Sequence, residues 1–220
     1  MTATPKTLNV TECHQLLATL KVETGTKNKI RKGIRNHTIA LLMLDAGLRV
    51  GEVVQLHVSD LFFHDKTVEN LVVRAEIAKN KTERIVPLSS RLGKAVSDLN
   101  EKLWKPNHRA NNAYAMSLCM GTHSITTRQV ERIIRAAAMK SIGRPVHPHM
   151  LRHTFGTRIE RKAGLRVAQE LLGHENVSST QIYTHVNSDD LKKAIREACG
   201  DEQERHLMTT DSSLDSRCPD

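Results

Sequence analysis

HPHMLRHTFGTRIERKAGLRVAQELLGHENVSSTQIYTH, residues 147–185, is the stretch on which the reading of this chain turns. Pro148 suits the first position of a helix, where its missing N–H is one that no helix bonds. His149, Arg152 and His153 then follow at i, i+3 and i+4 and share one helix face. That face reads as charged rather than as a core stripe. Further on, His174 and Tyr183 stand nine residues apart, and Tyr183 is one of only two tyrosines in the chain. Two candidate acid/base histidines, an arginine and a phenol are thus gathered into one short segment.

The surroundings of this segment narrow what it serves. The chain has 220 residues, 39% of them hydrophobic, enough for one good-sized domain with its own core. No apolar run approaches the roughly 18 to 20 residues that cross a bilayer, and the polar start MTATPKTLNV holds no signal-peptide core, so the expected location is the cytoplasm. Cys13, Cys119, Cys199 and Cys218 are scattered without zinc-ligand spacing and are expected to be reduced thiols.

Charge is distributed unevenly. The net charge is +9, which favours a polyanionic partner such as nucleic acid. Residues 201–220 hold six acidic side chains against Arg205 and Arg217, a net −4, which leaves +13 on residues 1–200. The acidic tail, poor in large apolar residues, is expected to be disordered, and residues 1–200 to be the functional unit. Only 3% of residues are aromatic, too few for the stacking platforms of single-strand binders.

Along the chain a short helix is expected from about Thr11, with Thr11 as its cap and Leu16, Leu17 and Leu20 inward. The basic, glycine-punctuated run KVETGTKNKIRKGIRNH reads as a solvated loop, followed by a helix over 34–46 that Gly47 ends. LRVGEVVQL opens the next helix with Arg49 and Glu52 at i, i+3, a spacing that in isolation describes a surface ion pair. Between Leu61 and Leu88, LVVRAEI and ERIVPL alternate and are rich in β-branched residues, which predicts a hairpin with Lys79 and Lys81 at its tip. Helices are then expected over 89–103, 126–141, 148–163, 166–172 and 188–198. The predicted class is mainly α with a small antiparallel β-sheet, an α+β fold without internal repeats.

Arg49, a hairpin lysine, His149, Arg152, His174 and Tyr183 suit one kind of chemistry. Attack of an oxygen nucleophile on a phosphodiester builds negative charge on the nonbridging oxygens, which two guanidiniums can hold with forked hydrogen bonds. Histidines move protons near neutral pH, an ammonium can protonate a departing alkoxide, and a tyrosine oxygen can be the covalent nucleophile. A metal on His149 and His153 would sit beside the Arg152 cation, and no HExxH glutamate is present, so no metal is expected. No GxxxxGKS loop or acidic cluster calls for a nucleotide or for two-metal hydrolysis, and no cofactor is expected. Tyr114, in NNAYAMS, lies away from every motif and reads as structural.

GLRVGEV, the hairpin ending KNKTERIVPL, HPHMLRHTFGT and LLGHENVSSTQIYTHV, in that order, resemble the tyrosine recombinases, or phage integrase family, over most of residues 8–198. The resemblance implies that fold's catalytic domain over residues 1–200, and roles position by position. Arg49 and Arg152 would stabilise the phosphorane-like transition state. His149 would transfer protons, and His174 would bond the phosphate. Tyr183 would form a 3′-phosphotyrosyl link and free a 5′-hydroxyl, and Glu52 would orient its neighbours. Counting back from ERIVPL places Lys79 on the family's hairpin lysine, the general acid. The glycines usual around it are replaced by Ala78 and Asn80, which keeps Lys81 open as the alternative.

Fewer than fifty residues precede Arg49, so no counterpart of the family's separate N-terminal DNA-binding domain is expected here: either the +13 body grips DNA unaided or the chain is a truncated element. In this the chain is similar to the compact fimbrial phase-variation invertases. The resemblance further implies double-stranded DNA as partner, a homotetramer on two DNA sites, and accessory DNA-bending proteins as further partners. It implies a site-specific recombinase. Two alternatives stay open: a catalytically weak DNA-binding regulator on the same fold, and a topoisomerase-like enzyme that relaxes one duplex.

Overall fold

In a computed structural model the described residues are 7–107, 110–118, 123–173 and 188–199. In chain order they form helices α1 (Val10–Leu20), α2 (Lys27–Asp45), α3 (Val50–Val53) and α4 (Val58–Leu61). Strands β1 (Phe62–Phe63), β2 (Lys66–Thr67), β3 (Asn70–Val73) and β4 (Arg84–Pro87) follow. Helices α5 (Ser90–Leu99), α6 (Thr127–Ile142), α7 (Pro148–Ala163), α8 (Leu165–Leu172) and α9 (Ser188–Cys199) complete the order. The chain is mainly helical with small antiparallel sheets, as expected. The tail at 201–220, Cys119 and Cys218 lie outside the described residues.

The core is helical. α2 lies between α5 and α7, α1 packs on α6, and α8 on α7. Ile39, Leu41, Leu42, Met43 and Leu44 of α2 and Leu151, Phe155 and Ile159 of α7 are all buried. Each such side chain contributes about 1.5 to 3 kcal/mol relative to its exposed state. Two ion pairs fix the periphery. Arg144 Nε and Nη2 donate to Glu12 at 2.8 and 2.9 Å, tying the turn before α7 to α1. At the end of α2 the fully buried Asp45 accepts from Arg91 at 2.6 and 2.5 Å and from Ser89 at 2.8 Å, which sets the start of α5.

Three local expectations are corrected. α1 is capped by Asn9 and not Thr11: the Asn9 side chain accepts from Glu12 N at 2.8 Å while Glu12 accepts from Asn9 N at 2.9 Å, a reciprocal capping box that places Thr11 inside the helix. The basic run is no loop after residue 26. Thr26 caps α2, and Gly33 faces Val22 so closely that a Cβ there would meet the Val22 Cβ at 2.5 Å. That glycine answers a packing need inside a helix, which its composition alone made look like a break.

The region 61–88 is the third. β3 and β4 pair antiparallel with Val72 opposite Ile85 and Val73 opposite Arg84, but RAEI leaves the ladder. Ile77 N and Ala78 N both donate to Arg74 O, closing a turn that buries Ile77 and Ala78. A separate two-residue hairpin, β1–β2, precedes it, with His64 and Asp65 at φ 46 and 60°. The predicted helix over 89–103 is α5 continued by a π turn at Asn100–Trp104, and the other predicted helices agree with α6 to α9 within one or two residues.

Among the described residues no helix is long and apolar enough to cross a membrane. Among the described residues Cys13 and Cys199 are buried free thiols.

Candidate active site

Gly47, at φ 62°, turns the chain out of α2 so that Arg49 becomes the N-cap of α3. One turn later Glu52 reaches back: its carboxylate accepts from Arg49 N at 2.8 Å and from Arg49 Nη1 at 3.0 Å. A side chain that caps a helix while holding the guanidinium beside it fixes Arg49 in place. The pair is not the surface contact that its spacing suggests, because Glu52 is 1% exposed.

A buried carboxylate needs further partners, and Arg84 supplies them. From the start of β4 its Nη1 and Nη2 donate to Glu52 Oε1 and Oε2 at 3.0 and 2.7 Å, and its Nε donates to Leu171 O at 3.1 Å. Arg84 is a site residue that the sequence motifs do not single out. A signal existed: the alternation of ERIVPL puts Arg84 and Val86 on one side and Ile85 on the other, and a buried arginine demands a carboxylate.

Arg152 arrives from α7. Its place at i+3 from His149 suggested a shared charged face, but Arg152 is buried whereas His149, in the first turn of α7, is exposed. Burial is possible because backbone oxygens receive its guanidinium. Nη1 donates to Gly47 O and Nη2 to Leu172 O, the latter at 2.7 Å. Gly47 therefore serves both arginines: its backbone turn places Arg49 and its carbonyl holds Arg152.

Three guanidiniums surround one carboxylate, an excess of two positive charges. Desolvation pushes Arg152 down to about 9, with Arg49 and Arg84 lowering it further and Glu52 opposing them. Burial disfavours the Glu52 anion, but the Arg84 hydrogen bonds and charge outweigh it and hold the carboxyl below its usual value. The cluster is cationic and stands to gain from an incoming anion.

Lys79 lies on the connection between β3 and β4, exposed, as does Lys81. Asn80 between them donates through Nδ2 to Gly173 O at 3.3 Å. The lysine loop thereby touches the end of α8, whose Leu172 carbonyl binds Arg152. Arg49, Arg84 and Arg152 are thus brought together around Glu52, and the Lys79 loop meets the end of α8 beside them. His174 and Tyr183 lie outside the described residues. Tyr114 sits with its ring 5.3 Å from that of His57 and bridges the same residue through its backbone, in keeping with a structural role. Among the described residues no three His, Cys, Asp or Glu side chains form a metal-binding group.

Comparison with known proteins agrees with this architecture. Residues 6–190 match the Phage integrase family, and the chain belongs to it. It is 33% identical over 199 residues to tyrosine recombinase XerD of Listeria monocytogenes serotype 4b (strain F2365), covering 88% of this chain and 62% of the relative. Tyrosine recombinase XerC of Bacillus pumilus (strain SAFR-032) is 38% identical over 167 residues, 73% of this chain and 52% of that one. The chain thus spans less than two thirds of the length of these relatives. In structure it is similar to XerA recombinase, with TM-score 0.61, 27% identity, and coverage of 98% of this chain and 68% of that one. The catalytic core of lambda integrase shares the fold at TM-score 0.53 and 19% identity, with 80% of this chain and 95% of that one covered.

Proposed function

We propose that the chain is the catalytic part of a site-specific DNA recombinase that breaks and rejoins strands through a covalent bond to Tyr183. The observation that carries this reading is the cluster of Arg49 and Arg152 around buried Glu52, with His149 exposed on the first turn of α7 and the lysine loop against the end of α8. Fixed guanidiniums with N–H groups to give are a cradle for a phosphate in which charge is building.

In the forward step the Tyr183 oxygen attacks phosphorus and gives its proton to His149 as base. The bond from phosphorus to the 5′ oxygen breaks, and that oxygen takes a proton from the Lys79 ammonium. The products are a 3′-phosphotyrosyl ester and a free 5′-hydroxyl. Arg49, Arg152 and His174 hold the nonbridging oxygens throughout. One phosphate ester replaces another, so rejoining to a second 5′-hydroxyl is the same step reversed and needs no nucleotide or metal. The partner is double-stranded DNA, and a homotetramer on two sites is the assembly in which strands change partners. The cytoplasm is the compartment where that DNA is met.

Duplexes enriched from a random library by binding, then nicked next to the cleavage point so that the short 5′ fragment diffuses away, test this reading. Wild type is expected to accumulate a protein–DNA adduct that survives denaturation, and Tyr183→Phe is expected to form none. Binding without adduct on every selected site would favour a DNA-binding regulator. Relaxation of supercoiled plasmid without two-site exchange would favour a topoisomerase-like enzyme.

A further inference from the structure

The last carbonyls of a helix have no partners within it and carry the negative end of its dipole. At the end of α8 three successive ones, the last that of the C-cap Gly173, are taken by side chains from three different places. Leu171 O accepts from Arg84 of β4, Leu172 O from Arg152 of α7, and Gly173 O from Asn80 of the lysine loop. Two of these donors are guanidiniums of the cationic cluster. The third is a neutral amide whose neighbour in the chain is Lys79, while the residue after its acceptor is His174.

The loop is built so that this contact governs Lys79. Its near side is anchored, since Ile77 and Ala78 are buried and both bond Arg74 O. Arg74 is itself held by Asp60 at 3.0 Å. Lys79 is the first exposed residue after that anchor, and Asn80 ties down its other side. Thr82 Oγ1 also donates to Asn80 O at 3.2 Å, which steadies the backbone there. Lys81 lies beyond the tie, at φ 53°. Gly173 offers its carbonyl from a close-fitting place, because a Cβ on it would meet Arg84 Cδ at 3.0 Å.

We propose that Asn80 is a positioning residue for the proton donor: its amide, bound to the Gly173 carbonyl, holds the lysine loop to the end of α8, so that Lys79 and the Arg152-bearing end of the site meet the scissile phosphate as one unit. The idea rests on the strand-cleavage reading. Asn80 touches no reacting atom; it acts through Lys79. As the bond from phosphorus to the 5′ oxygen breaks, that oxygen keeps the electron pair and takes a proton from the Lys79 ammonium, which becomes an amine. A sulfur in the same bridging position leaves as a thiolate and needs no proton.

That difference separates positioning from mere folding. Adduct formation is measured on nicked duplexes carrying either the natural oxygen or a 5′-bridging sulfur, for wild type, Lys79→Ala, Asn80→Gly and Asn80→Leu; the leucine keeps the shape of asparagine without its donor. General-acid catalysis contributes about a hundredfold or more, so Lys79→Ala should lose about that on oxygen and recover on sulfur. Both Asn80 variants should lose about tenfold on oxygen, recover to near the wild-type rate on sulfur, and bind DNA as wild type does. Asn80 variants as fast as wild type on oxygen, or equally slow on both substrates, overturn the proposal while cleavage by the wild type stands. Failure of sulfur to rescue Lys79→Ala overturns it as well, because Lys79 is then not the acid. Absence of adduct from the wild type on every substrate removes the strand-cleavage reading and the Asn80 role together.

Discussion

Arg84 and Glu52 form a two-point pair in the interior, Nη1 to Oε1 at 3.0 Å and Nη2 to Oε2 at 2.7 Å, with side-chain exposures of 7% and 1%. The pair joins β4 to α3, two elements 32 positions apart in the chain, and gives Glu52 the charge balance it needs to hold Arg49. Planar two-point geometry of this kind is available to arginine and not to lysine.

Removal of one member of a buried pair leaves the other charge unbalanced and costs about 3 to 5 kcal/mol. Arg49 still contacts Glu52, so Arg84→Met is expected at the lower end, about 3 kcal/mol, read as a shift in the urea midpoint. Adduct formation should fall too, as Glu52 draws Arg49 towards itself. Arg84→Lys should lie between the two in both measurements. A methionine variant as stable as wild type would mean that the pair is not a support of the site.

Glu52 also sets an acid limit. Its folded pKa lies below its unfolded value of 4.5, so its contribution is fully present above 4.5 and is lost as pH falls through the lower folded value. Glu52→Gln should be less stable than wild type at pH 7, and the gap should narrow below pH 4.5 as the wild-type carboxylate is protonated. Chemical denaturation at a series of pH values measures the gap; a constant difference down to pH 3 or so would contradict the account.

His37 acts in a different window. Burial pushes its imidazole down to about 4 from 6.5, with Lys21 and Arg91 lowering it further. The unfolded chain therefore takes up a proton that the folded chain refuses, and stability should fall as pH drops from 6.5 towards 4. His37→Gln should flatten this slope. Equal slopes in the two proteins would show that His37 titrates alike in both states.

Gly47 is where the turn and the site coincide. An alanine there would keep φ near 62° and place a Cβ 2.4 Å from Phe155 Cδ1, whereas a Cβ on Gly51 would meet nothing within 4 Å. Gly47→Ala should cost about 2 to 5 kcal/mol from backbone strain and overpacking, and it should abolish adduct formation by displacing the carbonyl that holds Arg152. Gly51→Ala should be neutral or slightly stabilising in thermal unfolding. Similar behaviour of the two would refute the turn's role.

Much of this arrangement is legible in the chain itself. Helices α6 to α9 follow from apolar spacing, with Thr126 as the cap of α6 and Pro148 at the first position of α7, and Arg49, Glu52 and Arg152 stand in local motifs. What escaped depends on distant neighbours. α2 keeps a glycine in its interior because Val22 packs on Gly33, and no periodicity reports that contact. Arg152 shares a helix spacing with His149, yet it is buried because Gly47 and Leu172 supply oxygens from elsewhere. The partners of Arg84, Glu52 and Leu171 O, come from elements 32 and 87 positions away, and no local pattern reports them.

Mass mapping of the peptide left on the trapped strand decides whether Tyr183 becomes bonded to DNA. The expected result is a nucleotide remnant on Tyr183 through a 3′-phosphate, and no modified peptide from Tyr183→Phe. A remnant on any other residue, Tyr114 included, or an adduct that persists in Tyr183→Phe, would contradict it.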